Sequence, residues 1–256
     1  MKGLLLRVGI DNGFGGCLAP IYKDGSFEYI PIHAIEPTTE KEVYATMEGI
    51  KNKKGIKNKI VDFVPEKIKY SHPHYDPEFT TFTYGDPTEP KRNQLAKLDT
   101  GDLLIFYAGL MHYVKPKDGK KWYKAKNRKL KSRLFIIGYF EVEKVYDFNE
   151  IPMSEWKTIF KKVSENAHAK TYFRLEELKI EYSNKKLIIV KGRESDESKL
   201  FTKAIPLGDG SNKLCGGLER IFGYPKTKSL TRAICRWIDK DHIHKVKEFL
   251  ENEGKL

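Results

Sequence analysis

The stretch Gly101-Asp102-Leu103-Leu104-Ile105-Phe106-Tyr107-Ala108-Gly109-Leu110 is the most continuously apolar part of this 256-residue chain. Six consecutive apolar or strand-favouring residues follow Asp102, and a glycine bounds the run at each end. A short apolar run of this kind is typical of a strand that is covered on both faces. The sequence therefore predicts a buried central strand, around which the rest of the fold is organised.

The run that begins at Leu134 is the predicted partner of this strand. It is apolar at first, and from Phe140 to Val145 its residues alternate with a period of two. Such alternation indicates that one face of the strand becomes exposed to water. We therefore expect two neighbouring strands, joined by a segment at residues 115–133.

That joining segment is strongly basic. Together with residues 51–59 it holds fifteen of the 47 basic residues and one of the 35 acidic residues, so these two loops account for the net charge of +12. Lysine-rich loops are often simply solvated, or occur in heat-stable proteins, but there they are interspersed with glutamate. The near absence of acidic residues favours a polyanionic partner.

Length, cysteines and hydropathy restrict the class of protein. The chain is long enough for one large domain, or for a domain with a smaller appendage, without disulfide staples. Cys17, Cys215 and Cys235 are far apart and show no paired spacing, so neither a disulfide framework nor a zinc knuckle is indicated. No run reaches the roughly 18 to 20 apolar residues of a membrane span, and the first residues are too few for a signal-peptide core. We expect a cytoplasmic protein that does not enter a membrane.

Helical patterns dominate after Val145. Trp156, Ile159, Phe160 and Val163 are spaced as one apolar stripe, which predicts a helix over residues 155–166. Further helices are predicted near residues 39–47, 213–222, 230–238 and 241–251. We interpret residues 1–256 as a single domain, with a mainly β core and basic loops in 1–147 and a mainly helical portion in 148–256 that packs on it.

The segment His72-x-His74-x-Asp76 is the best candidate for catalysis. In extended backbone its three side chains would point to one side, as a divalent metal or a proton-transfer pair requires. Asp76 would then orient His74 and raise its pKa. No further metal ligand is identifiable from the sequence, so no metal is assigned. The alternative is a loop staple held by a histidine–aspartate hydrogen bond.

Arg7 and Asp11 are the second candidate, because they lie where the opening strand enters a glycine-rich loop. Polar, restrained loops beside strands are how functional residues are usually mounted on a scaffold. We therefore predict that this loop and the segment around His74 meet in space. A simple ion pair at a strand end is equally compatible with Arg7 and Asp11.

Several pieces of the sequence resemble, in order, one known family. They are Leu5-Leu6-Arg7-x-Gly9-x-Asp11, Gly15-Gly16, Pro20-Ile21, Asp24-Gly25, Ile30-Pro31-Ile32, His74-x-Asp76-Pro77, Gly101-Asp102 with the apolar strand, and Ser198 to Leu207. This arrangement resembles the third nucleotide-modification-associated domain family. Membership would imply a role beside enzymes that modify bases in nucleic acid. Asn12, Phe14 and the basic insertion after the central strand depart from that pattern.

Gly101-Asp102, the apolar strand and the later Gly-x-Phe-x-Val arrangement also resemble, more weakly, the PUA-like and ASCH-type barrels that read modified bases, where an extruded base stacks on aromatic rings. For the whole chain we expect an α+β fold with a curved mixed sheet or a PUA-like β-barrel core and a helical C-terminal part. The rings that could line a base pocket are Phe106, Tyr107, Tyr139 and Phe140. For each single ring the core reading is the favoured one, because buried Phe and Tyr side chains mostly just pack.

The leading prediction is a protein that binds DNA or RNA and recognises a modified base. Processing of that base is an extension of the same prediction. Candidate nucleic-acid contacts are Arg7, Lys120, Lys121, Trp122, Tyr123, Lys124, Lys126, Arg128 and Lys199. Candidate catalytic residues are His74, Asp76 and Asp11. Two alternatives stay open: a metal-dependent nuclease or transferase centred on His74 and Asp76, and a non-catalytic interaction module. The sequence gives neither the cofactor nor the oligomeric state.

Overall fold

A computed structural model describes residues 1–50, 57–115, 122–125, 133–184, 186–194, 197–208, 214, 217–224, 230 and 235–253. The predicted central strand is β6, Leu103–Val114, and its predicted partner is β8, Arg133–Asp147. The two are antiparallel, with Leu103 opposite Glu141 and Leu110 opposite Arg133. Residues 103–108 are at most 4% exposed. The apolar run therefore predicted both the strand and its burial correctly.

One large mixed sheet surrounds this pair. Strand β1 (Gly3–Arg7) runs parallel to β6, and β2 (Ala19–Ile21) is parallel to the far end of β6. Strand β8 also pairs with β9 (Ile188–Gly192) and β10 (Lys199–Gly208). With β11 (Arg236–Ile238) and β5 (Thr83–Asp86) at its two ends, the order through the sheet is β11-β1-β6-β8-β9-β5, and the sheet is not closed into a barrel.

The α+β class is thus confirmed, and of the two predicted cores the open mixed sheet is the one found. The remaining strands are short: β5 (Thr83–Asp86), β7 (Tyr123–Lys124) and β11 (Arg236–Ile238) extend the sheet, while β3 (Ile32–His33) and β4 (Pro73–His74) form a separate antiparallel pair. The part of the chain after Asp147 supplies β9, β10 and β11 as well as helices.

Five α-helices occur in the described residues: α1 (Glu89–Leu95), α2 (Met153–Lys162), α3 (Ala167–Glu177), α4 (Leu218–Phe222) and α5 (Ile243–Glu253). The predicted stripe on α2 is buried in a second hydrophobic core, where Phe160 stacks on Phe148 at 4.6 Å between ring centroids. On α5, Ile243, Val246 and Leu250 pack into the main core. None of the helices in the described ranges is long and apolar enough to cross a membrane.

Two predicted helices are wrong. Residues 39–47 are irregular apart from one turn at 44–46. Thr38 and Glu40 accept hydrogen bonds from nearby backbone N–H groups through their side-chain oxygens, which competes with helix formation. The described end of the segment 230–238 is strand β11, paired with β1 through Gly3 opposite Ile238. The unpaired edge of a sheet offers hydrogen-bond partners to another strand, and a local sequence pattern does not show that such an edge is nearby.

The alternation on β8 also differs from prediction at one position. Glu141, expected on the wet face, is only 5% exposed. Its carboxylate forms ion pairs with Lys247 at 2.8 Å and Arg193 at 3.1 Å. The exposed stretch of β8 therefore begins at Glu143 instead.

Candidate functional site

A cavity of about 270 Å³ lies where the ends of β1, β4 and β5 meet the start of α3. Its wall combines apolar side chains with charged and imidazole groups. The lining residues are Arg7, Val8, Phe14, Ile32, His33, Ile35, Glu36, His74, Asp76, Tyr84, Gly85, Asp86, Pro87, Thr88, Lys91 and His168. Residues that are far apart in the sequence thus converge on one small space.

His74 and Asp76 lie side by side in this wall, as predicted. His74 is in β4, opposite Ile32, and its Nε2 is 3.9 Å from Oδ2 of Asp76. The other carboxylate oxygen, Oδ1, accepts a hydrogen bond of 2.6 Å from the backbone N–H of Gly85. His72 does not join them, because its Nδ1 is paired with the backbone oxygen of Glu42 at 2.8 Å. The expectation that all three side chains point one way therefore holds for two of them.

His168 is the residue that the sequence reasoning missed. It is the second residue of α3, and its Nε2 is 3.4 Å from Oδ2 of Asp76. Its ring lies 4.9 Å from that of His74. The local signal is the cap of α3: Asn166 accepts a hydrogen bond from the backbone N–H of His168 and donates to Oγ1 of Thr83 in β5. That cap fixes the start of the helix against the sheet.

The protonation states of this cluster differ from the prediction. Burial, together with the nearby charge of His168, lowers the pKa of His74 to about 3. Burial opposes the charged form of His168, but the hydrogen bond and charge of Asp76 outweigh it and raise the pKa of His168. Asp76 therefore favours the proton on His168, and His74 is a neutral imidazole at neutral pH.

Gly85 is required for the approach of His168. A β-carbon added at Gly85 would lie 2.6 Å from Cδ2 of the His168 ring, closer than side chains approach one another. The absence of a side chain thus lets the imidazole reach Asp76 across β5. Gly85 is needed here because another side chain packs closely against its backbone, and not because the chain turns at this position.

A buried ion pair forms another part of the wall. The carboxylate of Asp86 lies 2.8 Å from Nζ of Lys91, and their side chains are 9% and 17% exposed. Asp86 also accepts hydrogen bonds from the backbone N–H of Thr88 and from the hydroxyl of Tyr84. Burial would raise the pKa of Asp86, but Lys91 and Thr88 outweigh it, so the pKa is lowered.

The glycine-rich loop reaches the same cavity, as predicted, through Phe14, and Arg7 joins it from the end of β1. Arg7 Nη2 lies 3.8 Å from Oδ2 of Asp11. Asp11 itself is not part of the wall: its Oδ1 accepts hydrogen bonds from the backbone N–H groups of Gly13 and Phe14. Asp11 therefore shapes the loop, and its tentative catalytic role has no support from its position.

A family model described as nucleotide modification associated domain 3 matches residues 2–248. The chain belongs to this family. The resemblance seen in the ordered motifs is thus confirmed, and the match covers nearly all of the 256 residues. No curated protein and no solved structure matches the chain. The likeness to PUA-like barrels is not confirmed.

The aromatic rings predicted for a base pocket lie elsewhere in this family member. Phe106, Tyr107, Tyr139 and Phe140 are at most 1% exposed and belong to the main core. Phe106 packs edge to face against Phe140 at 4.6 Å. Strands β6 and β8 are covered on both sides, so rings on either face point into packed protein. The predicted base pocket at these residues does not hold, and they are core aromatics.

The predicted nucleic-acid contacts are only partly described. Lys120, Lys121, Lys126 and Arg128 lie outside the described residues, as does the side chain of Tyr123. Lys124 is exposed on β7, and Lys199 on β10 lies 5.8 Å from the ring of Tyr139. Trp122 is half-buried and packs against Tyr22 at 4.7 Å between ring centroids. Its packing role is thus clear, and a stacking role stays a prediction.

Proposed function

We propose that this protein binds a modified nucleobase of DNA or RNA in the cavity beside His74 and Asp76. The observation that carries the proposal is the convergence of Arg7 from the end of β1 and Phe14 from the first loop with His74, Asp76 and His168 in one wall. Membership of a family associated with nucleotide modification supports the class of ligand. A small concave site with a few convergent polar groups is the usual form of a ligand pocket.

The size and the rim of the cavity suit a single base. Its volume of about 270 Å³ is just below the 300–1,000 Å³ range of pockets for drug-sized ligands. Phe14 and Ile35 line it and are 47% and 84% exposed, so both side chains are accessible to a ligand. Enzymes and readers that extrude a base hold it against aromatic or apolar groups of this kind. Phe14 is therefore the proposed stacking residue.

Two polar atoms near the cavity support a polar ligand. Nε of Arg7 and Nδ1 of His33 are buried and have no hydrogen-bond partner among the described residues. Both side chains belong to the wall. Buried polar atoms without partners cost free energy unless a ligand or solvent pairs with them. The edge of a base offers both donors and acceptors for such groups.

The basic surface favours nucleic acid over a free nucleotide. A second cavity, of about 660 Å³, has three lysines, two acidic residues and four aromatic residues in its wall. They are Lys23, Lys115, Lys203, Asp24, Glu28, Tyr22, Phe27, Tyr113 and Trp122. Lysines contact phosphates and aromatic rings stack on bases, so this surface suits a strand that leads away from the bound base.

Loss of single-strand affinity in Phe14→Ala is the primary test. If Phe14 stacks on a base, its removal should cost about 1–3 kcal/mol of binding free energy. The measurement is fluorescence anisotropy with DNA and RNA oligonucleotides that carry either a modified or an unmodified base. Tyr70→Ala is the matched control, because Tyr70 is an exposed ring (72%) outside the cavity wall.

An unchanged affinity of Phe14→Ala for every oligonucleotide would contradict the proposal. His74→Ala and Asp76→Asn, assayed in the same way with and without Mg²⁺ or Mn²⁺, separate the alternatives. Loss of discrimination between bases without a metal effect supports a reader. Metal-dependent turnover that either change abolishes supports the nuclease or transferase. If both variants bind and discriminate bases as the wild type does, the non-catalytic interaction module is the remaining explanation.

A further inference from the structure

His74, Asp76 and His168 bring two imidazole nitrogens and one carboxylate oxygen within 4.8 Å of one another. The measured separations are 3.9 Å for His74 to Asp76 and 3.4 Å for His168 to Asp76. Ligand atoms that share an ion at about 2.1 Å lie roughly 3.0–3.4 Å apart, in octahedral or tetrahedral geometry. A displacement of well under 2 Å would therefore bring all three atoms onto one ion.

The three side chains are held by separate, well-anchored elements. His74 belongs to β4, which pairs with β3. Asp76 is fixed by the N–H of Gly85, which leaves Oδ2 directed at the two histidines. His168 begins a helix whose cap is bound to Thr83 in β5. The hydrogen bond from Gly85 to Asp76 is of the kind that orients metal ligands, and the strand and the capped helix hold the backbones of the two histidines in place.

The chemistry of the donors agrees with a metal ion. Two histidines and one carboxylate are the ligand set of several catalytic zinc sites and of non-haem iron(II) sites. Both kinds of site keep open positions for water or substrate. All three side chains here line the cavity, where such positions would be accessible.

We propose that His74, Asp76 and His168 form a mononuclear site for a divalent transition-metal ion that prefers imidazole ligands, such as Zn²⁺ or Fe²⁺. This inference goes beyond base binding and does not depend on it, because the three residues contact each other whether or not nucleic acid is bound. The competing explanation is a structural ion pair in which Asp76 fastens α3 to β4 and β5. The two differ in whether the cluster has an affinity for metal.

The test is a titration of the full chain, freed of metal by chelation, with Co²⁺ and Zn²⁺. Isothermal calorimetry should give one ion per chain, and Co²⁺ should develop visible absorption bands as it enters a protein site. Loss of one ligand, in His168→Ala or Asp76→Ala, should weaken binding at least about 100-fold, the upper end of what loss of a mere supporting group costs. His244→Ala is the control, because His244 is exposed on α5.

A second variant keeps the test decisive if loss of a ligand unfolds the protein. His74→Cys retains a metal-binding group, and its Co²⁺ form should gain a thiolate-to-cobalt charge-transfer band that the wild type lacks. Native circular dichroism checks the fold of each variant. The proposal is overturned if the wild type takes up no stoichiometric ion. It is also overturned if the ion binds equally well to folded His168→Ala, or if folded His74→Cys shows no thiolate band.

Discussion

Replacing Lys91 by Met measures how much the buried ion pair in the cavity wall contributes to the free energy of unfolding. Asp86 is 9% exposed in its side chain and lies 2.8 Å from Lys91 Nζ. Removing one partner of a buried pair costs roughly 3–5 kcal/mol, since the other charge stays buried without compensation. Asp86 would keep its hydrogen bonds from Thr88 and Tyr84, so we expect a loss of about 3 kcal/mol, at the lower end of that range.

Urea unfolding at pH 7 measures this loss. For a chain of this size it corresponds to a fall of roughly 1 M in the urea midpoint, with m near 2–3 kcal/mol/M. Lys157→Met is the matched control, because the pair of Lys157 with Glu176 is exposed (52% and 44% of the side chains). The reasoning is refuted if Lys91→Met lowers the midpoint no further than Lys157→Met does.

The same variant predicts a change in pH dependence. The pKa of Asp86 is lowered in the folded state, so its contribution to stability is present above its unfolded value of 3.8. That contribution is lost as pH falls through the folded pKa, because the unfolded state then binds the proton more readily. In Lys91→Met the pKa of Asp86 is no longer lowered by Lys91. The fall in unfolding free energy that is due to protonation of Asp86 should therefore be smaller. An unchanged slope of unfolding free energy against pH below 4 would contradict it.

Three further predictions concern the packing and the charged loops. Gly85→Ala should cost about 1–3 kcal/mol by overpacking against His168, whereas Gly13→Ala, whose added carbon meets only one atom at 3.4 Å, should cost less; urea unfolding compares the two. Phe160→Ala, a fully buried ring stacked on Phe148, should cost about 3–5 kcal/mol; a loss below 1 kcal/mol in the same assay would contradict its place in the second core. Filter-binding titrations should give a log–log salt slope near −4 to −5 if about five phosphates are neutralised. Replacing four lysines of the basic loop by Gln should flatten this slope; they are Lys120, Lys121, Lys124 and Lys126. If the slope is unchanged in that variant, the loop is not part of the binding surface.

The sequence predicted those parts of the molecule in which local pattern and burial agree. The apolar run at β6 is short, continuous and bounded by glycines, as a buried strand requires, and the stripe on α2 carries the helical period. Strand β11 could not be predicted in this way, because it forms where β1 leaves an edge unpaired. The burial of Glu141 depends on Lys247, more than one hundred residues away.

The candidate site shows the same division. His74, Asp76 and Arg7 were predicted because polar residues beside strand ends and prolines are locally distinctive. His168 was missed because the sequence can indicate the start of its helix, through the cap residue Asn166, but does not indicate which residue the imidazole contacts. Only the packing of α3 against β5, through Asn166 and the small Gly85, brings that imidazole to Asp76. Its role is set by tertiary contacts.

Photocrosslinking tests the central claim most directly, because it reports where a base lies. A single-stranded oligonucleotide with one 5-iodouracil is bound to the full chain, irradiated, and the crosslinked peptide is identified by mass spectrometry. The proposal predicts crosslinks to residues of the cavity wall, foremost Phe14, His33 or Tyr84. Efficient crosslinks that fall only on peptides outside this wall would contradict it.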